Sequence, residues 1–250
     1  MTEGYAPVNG LKMYYRTHGA GDPLVLLHGG LLTAELSFGE LIPRLAERHR
    51  VIAVELQGHG RTADTDREAS VPGFADDVVG LLDHLDIRRA DLYGFSLGGL
   101  TAMQVALTHP ERVRKLVAAS IQFRPDGFHE EIRNPDRWAT SRRMPTADDF
   151  AAMRADYRRV APDPDHFDAF QEKVSAAVGA FPGWSDDQLR GLAVPTLVMA
   201  GDTDFMPVEH AAEMVQLIPD AQLAVLPGCT HMDLTRRPDL VLPAVSAFLA

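Results

Sequence analysis

The sequence predicts an α/β protein in which a doubly wound, mostly parallel sheet is interrupted by one helical insertion. Short, continuously apolar runs such as "PLVLLHGG" and "RVIAVEL" suit strands that are buried on both faces, as in a parallel sheet. These runs alternate with amphipathic segments of helical period, and repeated strand–helix units of this kind build a doubly wound sheet. The alternation stops between residues 122 and 190 and then resumes, which indicates an insertion.

The first half of the chain begins with a predicted β-ribbon, because Asn9-Gly10 is a turn signal followed by alternating apolar residues. Apolar runs and helical periodicity then predict a strand within 23–30, a helix at 35–48, a strand at 50–56, a helix at 72–85 and a strand at 90–95.

The same alternation continues on both sides of the insertion. The predicted elements are a helix at 97–109 closed by Pro110, strands at 113–120 and 194–201, a helix at 207–217, a strand at 221–228 and a helix at 238–249.

Residues 122–190 are predicted to be a mostly helical cap, with 1–121 and 191–250 forming the core. Thr146 with Asp149, and Ser185 with Gln188, have the spacing of capping boxes that begin helices. Ligands of such sheets bind beyond the carboxyl ends of the strands, where we expect the cap to lie. The alternative is a set of ordinary crossover helices without a gating role.

Composition limits the class of partner. The chain has 250 residues, 46% hydrophobic and 24% charged, with a formal net charge of -11 and no Lys/Arg run longer than a pair. Nucleic acid and anionic membranes attract basic surfaces, so neither is expected as a partner. Cys229 is the single cysteine and "MTEGYAPVNG" has no secretory pattern, so a cytoplasmic protein is expected.

The stretch "GFSLGG" places Ser96 between glycines at the junction of a predicted strand and helix. This is the setting of a nucleophile elbow, in which a serine occupies the strained tip of a sharp strand-to-helix turn. Gly94 and Gly98 lie two residues before and after the serine, where a Cβ would make the strand and the helix collide. The sequence therefore predicts that Ser96 is a nucleophile rather than an idle turn residue.

Five motifs in order, "HGG", "GHGRT", "GFSLGG", "GDTDFMP" and "GCTH", resemble the α/β-hydrolase superfamily over nearly the whole chain. The resemblance is greatest to small bacterial esterases and their cofactor-free perhydrolase relatives. It implies the α/β-hydrolase fold and the chain order nucleophile, acid, histidine. Carbon–carbon bond hydrolases of the ring-cleavage type usually carry Asn before the serine, where this chain has Phe95.

That order assigns the base and the acid. His231 follows the final predicted strand, whereas His210 falls inside a helix, so His231 is the expected base. Asp204 is favoured as the acid over Asp202, which is expected to cap the turn, and Asp126 is a third candidate.

An oxyanion needs donors, and we expect them to be the backbone N–H groups of Gly30 and Leu97. His28 is expected to brace its loop, and Cys229 to be a buried apolar residue. Residues expected to line the substrate pocket, with plain core packing as the alternative, are Leu31, Phe95, Trp138, Phe205, Met206 and Met232.

These features predict a serine hydrolase that cleaves a small carboxylic ester or lactone through an acyl-enzyme. The alternatives are a perhydrolase of the cofactor-free haloperoxidase type, a carbon–carbon bond hydrolase, and a non-catalytic ligand-binding protein on the same scaffold. No metal-ligand spacing and no nucleotide-binding glycine loop occurs, so no metal or cofactor is expected. The sequence leaves the oligomeric state open.

Overall fold

The computed structural model describes residues 1–250. Its eight strands form one sheet in the order β1-β2-β4-β3-β5-β6-β7-β8. The strands are β1 (Thr2–Val8), β2 (Leu11–His18), β3 (Asp22–Leu27), β4 (His49–Val54), β5 (Ala90–Phe95), β6 (Val113–Ala119), β7 (Thr196–Thr203) and β8 (Ala221–Thr230). β1 and β2 are antiparallel, β2 is antiparallel to β4, and all other neighbours are parallel. The predicted mostly parallel α/β sheet is confirmed.

Helices connect and flank these strands. They are α1 (Ala34–Phe38), α2 (Ile42–Leu45), α3 (Val71–His84), α4 (Leu97–Thr108), α5 (Glu130–Arg133), α6 (Ala147–Val160), α7 (Phe167–Gly179), α8 (Asp186–Arg190), α9 (Val208–Leu217), α10 (Asp233–Arg236) and α11 (Pro238–Leu249). None of these helices is long and apolar enough to cross a bilayer.

The first hairpin turns at Asn9 and Gly10, as its sequence predicts. Both residues have positive φ, 47° and 83°, which matches the twist of a two-residue hairpin loop. Central strand β5 is buried throughout and β3 is buried from Leu24 to Leu27, and their large apolar residues belong to one core cluster of 69 residues. Continuous apolar runs are therefore the signature of strands covered on both faces here.

The prediction of a single helix over 35–48 is wrong. The segment 35–48 forms two short helices, α1 and α2, rather than one amphipathic helix. Pro43 lies at the start of α2, and its missing N–H and its ring disfavour a continuous helix through this point. Gly39 caps α1 at the break.

The segment 122–190 contains no strand and is built from α5 to α8 with a 3₁₀ helix at Pro135–Thr140. Both predicted capping boxes are present: Thr146 and Asp149 begin α6, and Ser185 and Gln188 begin α8. Trp184 Nε1 donates a hydrogen bond of 2.8 Å to Gln104 Oε1 on α4, which joins this segment to the core. A further contact joins Lys173 Nζ on α7 to Asp64 Oδ1, at 2.8 Å.

Candidate active site

Polar groups follow five neighbouring parallel strands at one edge of the sheet. Strands β3, β5, β6, β7 and β8 are adjacent in that order, and parallel strands end at the same edge. The residues that follow or lie near their carboxyl ends are Gly30, Ser96, Ser120, Asp204 and His231. The topology therefore gathers residues that are far apart in sequence.

Ser96 lies at the tip of the turn between β5 and α4, with φ 52° and ψ -118°. A non-glycine residue in this region is strained by about 1 to 3 kcal/mol, and such strain persists only where neighbours hold it. Here the Ser96 N–H donates a 2.8 Å hydrogen bond to Ala119 O, and its carbonyl accepts one from Leu100 N at 2.9 Å. The structure thus has the geometry of a nucleophile elbow.

The glycines beside Ser96 allow close backbone approach. A Cβ on Gly94 would lie 2.2 Å from Gly98 O, and a Cβ on Gly98 would lie 2.0 Å from Leu27 O. Both distances are far inside van der Waals contact, so strand and helix can meet only because neither position carries a side chain.

Ser96, His231 and Asp204 form a continuous chain of contacts. His231 Nε2 lies 3.1 Å from Ser96 Oγ, and His231 Nδ1 lies 2.8 Å from Asp204 Oδ1. The ring of Phe205 stacks on the imidazole, with centroids 3.8 Å apart and an interplanar angle of 5°. The imidazole is therefore held between a hydroxyl and a carboxylate, with its plane fixed by an aromatic face.

The Asp204 carboxylate is fully buried and well supplied with donors. Burial by itself raises the pKa of this carboxyl, but the charge of His231 and the hydrogen bonds from His231, Ser120 and the Phe205 N–H together hold the pKa below its usual range. Phe205 N donates at 2.6 Å to Oδ1, and Gly201 N donates at 3.3 Å to Oδ2. The acid stays ionised without contact with water.

The other candidates for acid and base lie elsewhere. Asp202 Oδ2 accepts a 2.9 Å hydrogen bond from Gly228 N, so it stabilises the turn at the end of β8. Asp126 is exposed. His210 stacks on Phe123 and accepts its backbone N–H at 3.1 Å, which accounts for its burial.

The amides of Gly30 and Leu97 donate to no acceptor in the protein. Leu97 begins α4, where the first N–H groups of a helix have no intrahelical partner. The two residues are close neighbours, because a Cβ on Gly30 would lie 3.8 Å from Leu97 Cβ. By contrast, the Leu31 N–H donates to His59 Nε2 at 3.3 Å and is already used.

Beside its polar contacts at the two ring nitrogens, the His231 imidazole meets aromatic side chains across its faces. Phe95, Leu97, Met206 and Met232 are buried, and the Phe95 ring lies 4.8 Å from the His231 ring. From the segment 122–190, Val174 Cγ1 of α7 lies 3.3 Å from the position of a Cβ on Gly30. Leu31, at φ 63°, and Phe205 are partly exposed.

Trp138 lies apart from this buried set. It is 45% exposed, and its Nε1 donates to Ile132 O at 2.8 Å. With Met144 and Phe150 it lines an open groove of about 470 Å³ within the segment 122–190. Trp138 thus lies on the surface of the segment 122–190.

Two buried histidines brace the loops that carry the site. His28 Nδ1 contacts Gly29 O at 2.8 Å, and His28 Nε2 accepts from Leu56 N at 3.1 Å. Nδ1 therefore donates and Nε2 accepts, which requires a neutral ring. Burial lowers the pKa of His28 to about 4, in agreement with a neutral ring. Burial and the adjacent His28 also lower the pKa of His59 well below its usual value.

Sequence reasoning missed Ser120. Its Oγ lies 2.7 Å from Asp204 Oδ1 and 2.6 Å from His231 Nδ1. The one sequence signal for Ser120 is its place at the end of a predicted buried strand, 113–120, and that signal does not connect it to Asp204 or His231. Cys229 is buried, as expected, and its pKa is raised by burial. No cluster of three or more His, Cys, Asp or Glu side chains in the structure is placed to hold a metal ion.

Comparison with known proteins gives a consistent family. A family model described as the alpha/beta hydrolase family matches residues 24–244. The chain is 32% identical to 2-hydroxymuconate semialdehyde hydrolase of Pseudomonas sp. (strain CF600), over 89% of this chain and 84% of that one. It is 28% identical to the pimeloyl-acyl-carrier protein methyl ester esterase of Nitrosospira multiformis, over 95% and 98%.

Among solved structures, the enol-lactonase from Burkholderia xenovorans LB400 superposes with a TM-score of 0.79 at 25% identity. The superposition covers 98% of this chain and 99% of that one.

Proposed function

The chain belongs to the alpha/beta hydrolase family, and on that premise we propose that it is a serine hydrolase that cleaves a small carboxylic ester or lactone through an acyl-enzyme. One observation carries the proposal: the unbroken path from Ser96 Oγ through His231 to the buried Asp204, with distances of 3.1 and 2.8 Å. A hydroxyl is a weak nucleophile, and an adjacent base oriented by a third group is what activates it.

In the first half of the proposed reaction, Ser96 Oγ bonds to the substrate carbonyl carbon while its proton moves to His231 Nε2. Asp204 stabilises the imidazolium and keeps Nδ1 protonated. The carbon–oxygen bond to the alcohol then breaks, and the leaving oxygen takes the proton from Nε2. The acyl group remains as an ester on Ser96.

In the second half, a water molecule gives a proton to His231 Nε2 and attacks the acyl carbon. The bond to Ser96 Oγ breaks, the serine regains its proton, and the carboxylic acid leaves. In both halves the negative oxygen of the tetrahedral intermediate lies between the N–H groups of Gly30 and Leu97. Their lack of a protein acceptor supports this role.

The proposal of a small, largely apolar substrate rests on the surroundings of the imidazole. Phe205 and Phe95 cover faces of the His231 ring, and Val174 closes over Gly30. Apolar side chains at such close range leave limited space beside the reacting carbon and favour apolar acyl or alcohol groups.

A second candidate is hydrolysis of a carbon–carbon bond next to a ketone, because 2-hydroxymuconate semialdehyde hydrolase is 32% identical to this chain. The same triad serves either reaction. Phe95, in place of the Asn that usually precedes the serine in ring-cleavage hydrolases, favours the ester reaction. Perhydrolysis would use the same triad with peroxide in place of water, and ligand binding without turnover would leave the triad idle.

The test is a panel of p-nitrophenyl esters of increasing acyl length, enol-lactones and 2-hydroxy-6-oxo-dienoates, with wild type and Ser96→Ala. We expect turnover of short esters or lactones, lost in Ser96→Ala. Turnover of the dienoates alone favours the second candidate, and peracid formation from acetate and peroxide favours perhydrolysis. Ligand-induced stabilisation with no turnover of any compound contradicts a hydrolytic role.

A further inference from the structure

We propose that Ser120 is a positioning residue of the acid–base pair, a role that deepens the proposed function and depends on it. Its hydroxyl is buried and contacts both partners, 2.7 Å from Asp204 Oδ1 and 2.6 Å from His231 Nδ1. With the 2.8 Å contact between Nδ1 and Oδ1, the three atoms form a closed triangle.

Two protons serve the three sides of this triangle. The Asp204 carboxylate can only accept, so the Ser120 O–H donates to Oδ1. The Nδ1–H of His231 then points between Oδ1 and Ser120 Oγ and is shared by both acceptors. The Ser120 hydroxyl therefore donates one hydrogen bond to Asp204 and accepts one from the Nδ1–H of His231.

The backbone holds Ser120 in this position. Ser120 has φ 58°, a left-handed conformation that is uncommon for serine and directly follows β6. Its N–H donates at 2.8 Å to Met199 O on β7, the strand that leads to Asp204. Ala119 O accepts the N–H of Ser96 at 2.8 Å. The end of β6 thus fixes the nucleophile, the acid strand and the acid–base contact together.

The chemical consequence follows from charge. When His231 takes the proton of Ser96, the imidazolium gains a positive charge that the Ser120 lone pair and the Asp204 carboxylate both face. Hydrogen bonds to charged groups are stronger than neutral ones, and these donors and acceptors are already oriented. Ser120 does not touch the reacting atoms, so its loss should slow proton transfer without weakening substrate binding.

The experiment compares Ser120→Ala and Ser120→Gly with a matched control, Thr196→Val. Both Ser120 variants lack the hydroxyl, but glycine accepts a positive φ that alanine resists. Thr196 is a buried hydroxyl at the opposite end of β7, bonded only to Val194 O at 2.8 Å. Steady-state kinetics on the best ester, the rate of labelling by a fluorophosphonate, and the downfield proton resonance of the His231 Nδ1–H are measured in each.

We expect kcat and the labelling rate to fall about tenfold in both Ser120 variants, with KM unchanged and the Nδ1–H resonance moved upfield. Thr196→Val should keep wild-type values. A Ser120→Gly variant with wild-type kinetics would overturn the proposal, because the residue would then serve only the turn.

The resonance separates this proposal from the proposed function, since it needs no turnover. If wild type neither turns over the panel nor reacts with the fluorophosphonate, the proposed function fails, and the resonance alone decides the Ser120 contact. An unchanged resonance in Ser120→Ala then overturns that contact.

Discussion

At the scale of single residues, two neighbouring aspartates have different environments, and we propose that only Asp204 acts in catalysis. Asp204 is buried against His231, whereas Asp202 is exposed and bonded to Gly228 N. Asp204→Asn replaces a carboxylate that can only accept by an amide that can donate, so it favours the wrong imidazole tautomer. We expect kcat on the best ester to fall by about 10³ to 10⁴-fold, as in other triads. Asp202→Asn, the control, should stay within about threefold, because Asp202 bonds to Gly228 N and not to His231, and an amide oxygen can still accept that bond. Equal losses in the two variants would contradict the assignment.

Also at this scale, Ser120 shows what a sequence does not reveal. Its partners lie 84 and 111 positions away along the chain, and nothing local to "VAAS" marks a positive φ. Ser96, Asp204 and His231 could be selected because motif order and strand ends give their places. Trp138 could not be placed from the sequence, because an aromatic residue in a helical insertion gives no indication of which way it faces.

At the scale of elements, strands buried on both faces were predictable from apolar runs, and helix breaks were less so. The Ala90–Phe95 strand and the Pro238–Leu249 helix have their predicted bounds, because Arg88 and Arg89 precede the strand and Pro238 begins the helix. The segment 35–48 has helical periodicity, but Gly39 and Pro43 divide it. Periodicity reports which face is buried, not whether one helix is continuous.

The close packing at the junction of β5 and α4 predicts that a side chain at Gly98 lowers the free energy of unfolding. Gly98→Ala would place a Cβ 2.0 Å from Leu27 O, so we expect a loss of about 3 kcal/mol or more, or failure to fold. Gly179→Ala, at the end of α7, is the matched control, because no atom beyond its own helix backbone and chain neighbours lies within 4 Å of its Cβ position. It should leave stability unchanged or raise it by about 0.5 to 1 kcal/mol. Urea denaturation of both variants measures the difference, and a Gly98→Ala variant of wild-type stability would contradict the close approach.

The buried His28, in the loop that follows β3, predicts how the folding stability changes with pH. His28 is neutral when folded, with a pKa lowered to about 4, while the unfolded chain takes up a proton near pH 6.5. The part of the folding free energy that depends on a neutral His28 is therefore fully present above about pH 6.5, and it is lost as the pH falls toward 4. We expect about 2 kcal/mol less folding free energy at pH 5 than at pH 7 from this residue.

The check is urea denaturation at several pH values. His28→Asn should be less stable at neutral pH but show a shallower loss on acidification. His84→Asn, at an exposed histidine on α3, should keep the wild-type slope. A His28→Asn variant with the full wild-type slope would show that His28 is not the titrating group.

At the scale of the whole molecule, contacts join the predicted cap, 122–190, to the rest of the chain, and from them we expect the two parts to unfold together. Asp64 of the core accepts hydrogen bonds from Lys173 Nζ and His166 Nε2 on the cap, at 2.8 and 3.1 Å. Burial opposes the charge of Asp64, but these and other hydrogen bonds hold its pKa below the usual range. Arg143 of the cap donates at 2.9 Å to Asp204 O, beside the site.

We therefore expect one cooperative calorimetric transition for the whole chain. Lys173→Met should lower the free energy of unfolding by about 1 to 2 kcal/mol while keeping a single transition. Lys12→Met, on the exposed face of β2, is the control and should stay within about 0.5 kcal/mol. Two separate transitions in wild type would show that the cap folds independently of the core.

The central claim, that His231 activates Ser96 as a nucleophile, is tested most directly by fluorophosphonate labelling with peptide mapping by mass spectrometry. We predict one label, on Ser96, that disappears in Ser96→Ala and forms at least about a hundredfold more slowly in His231→Ala. An unlabelled Ser96 in folded wild-type protein, or a labelling rate that does not change in His231→Ala, would contradict the claim.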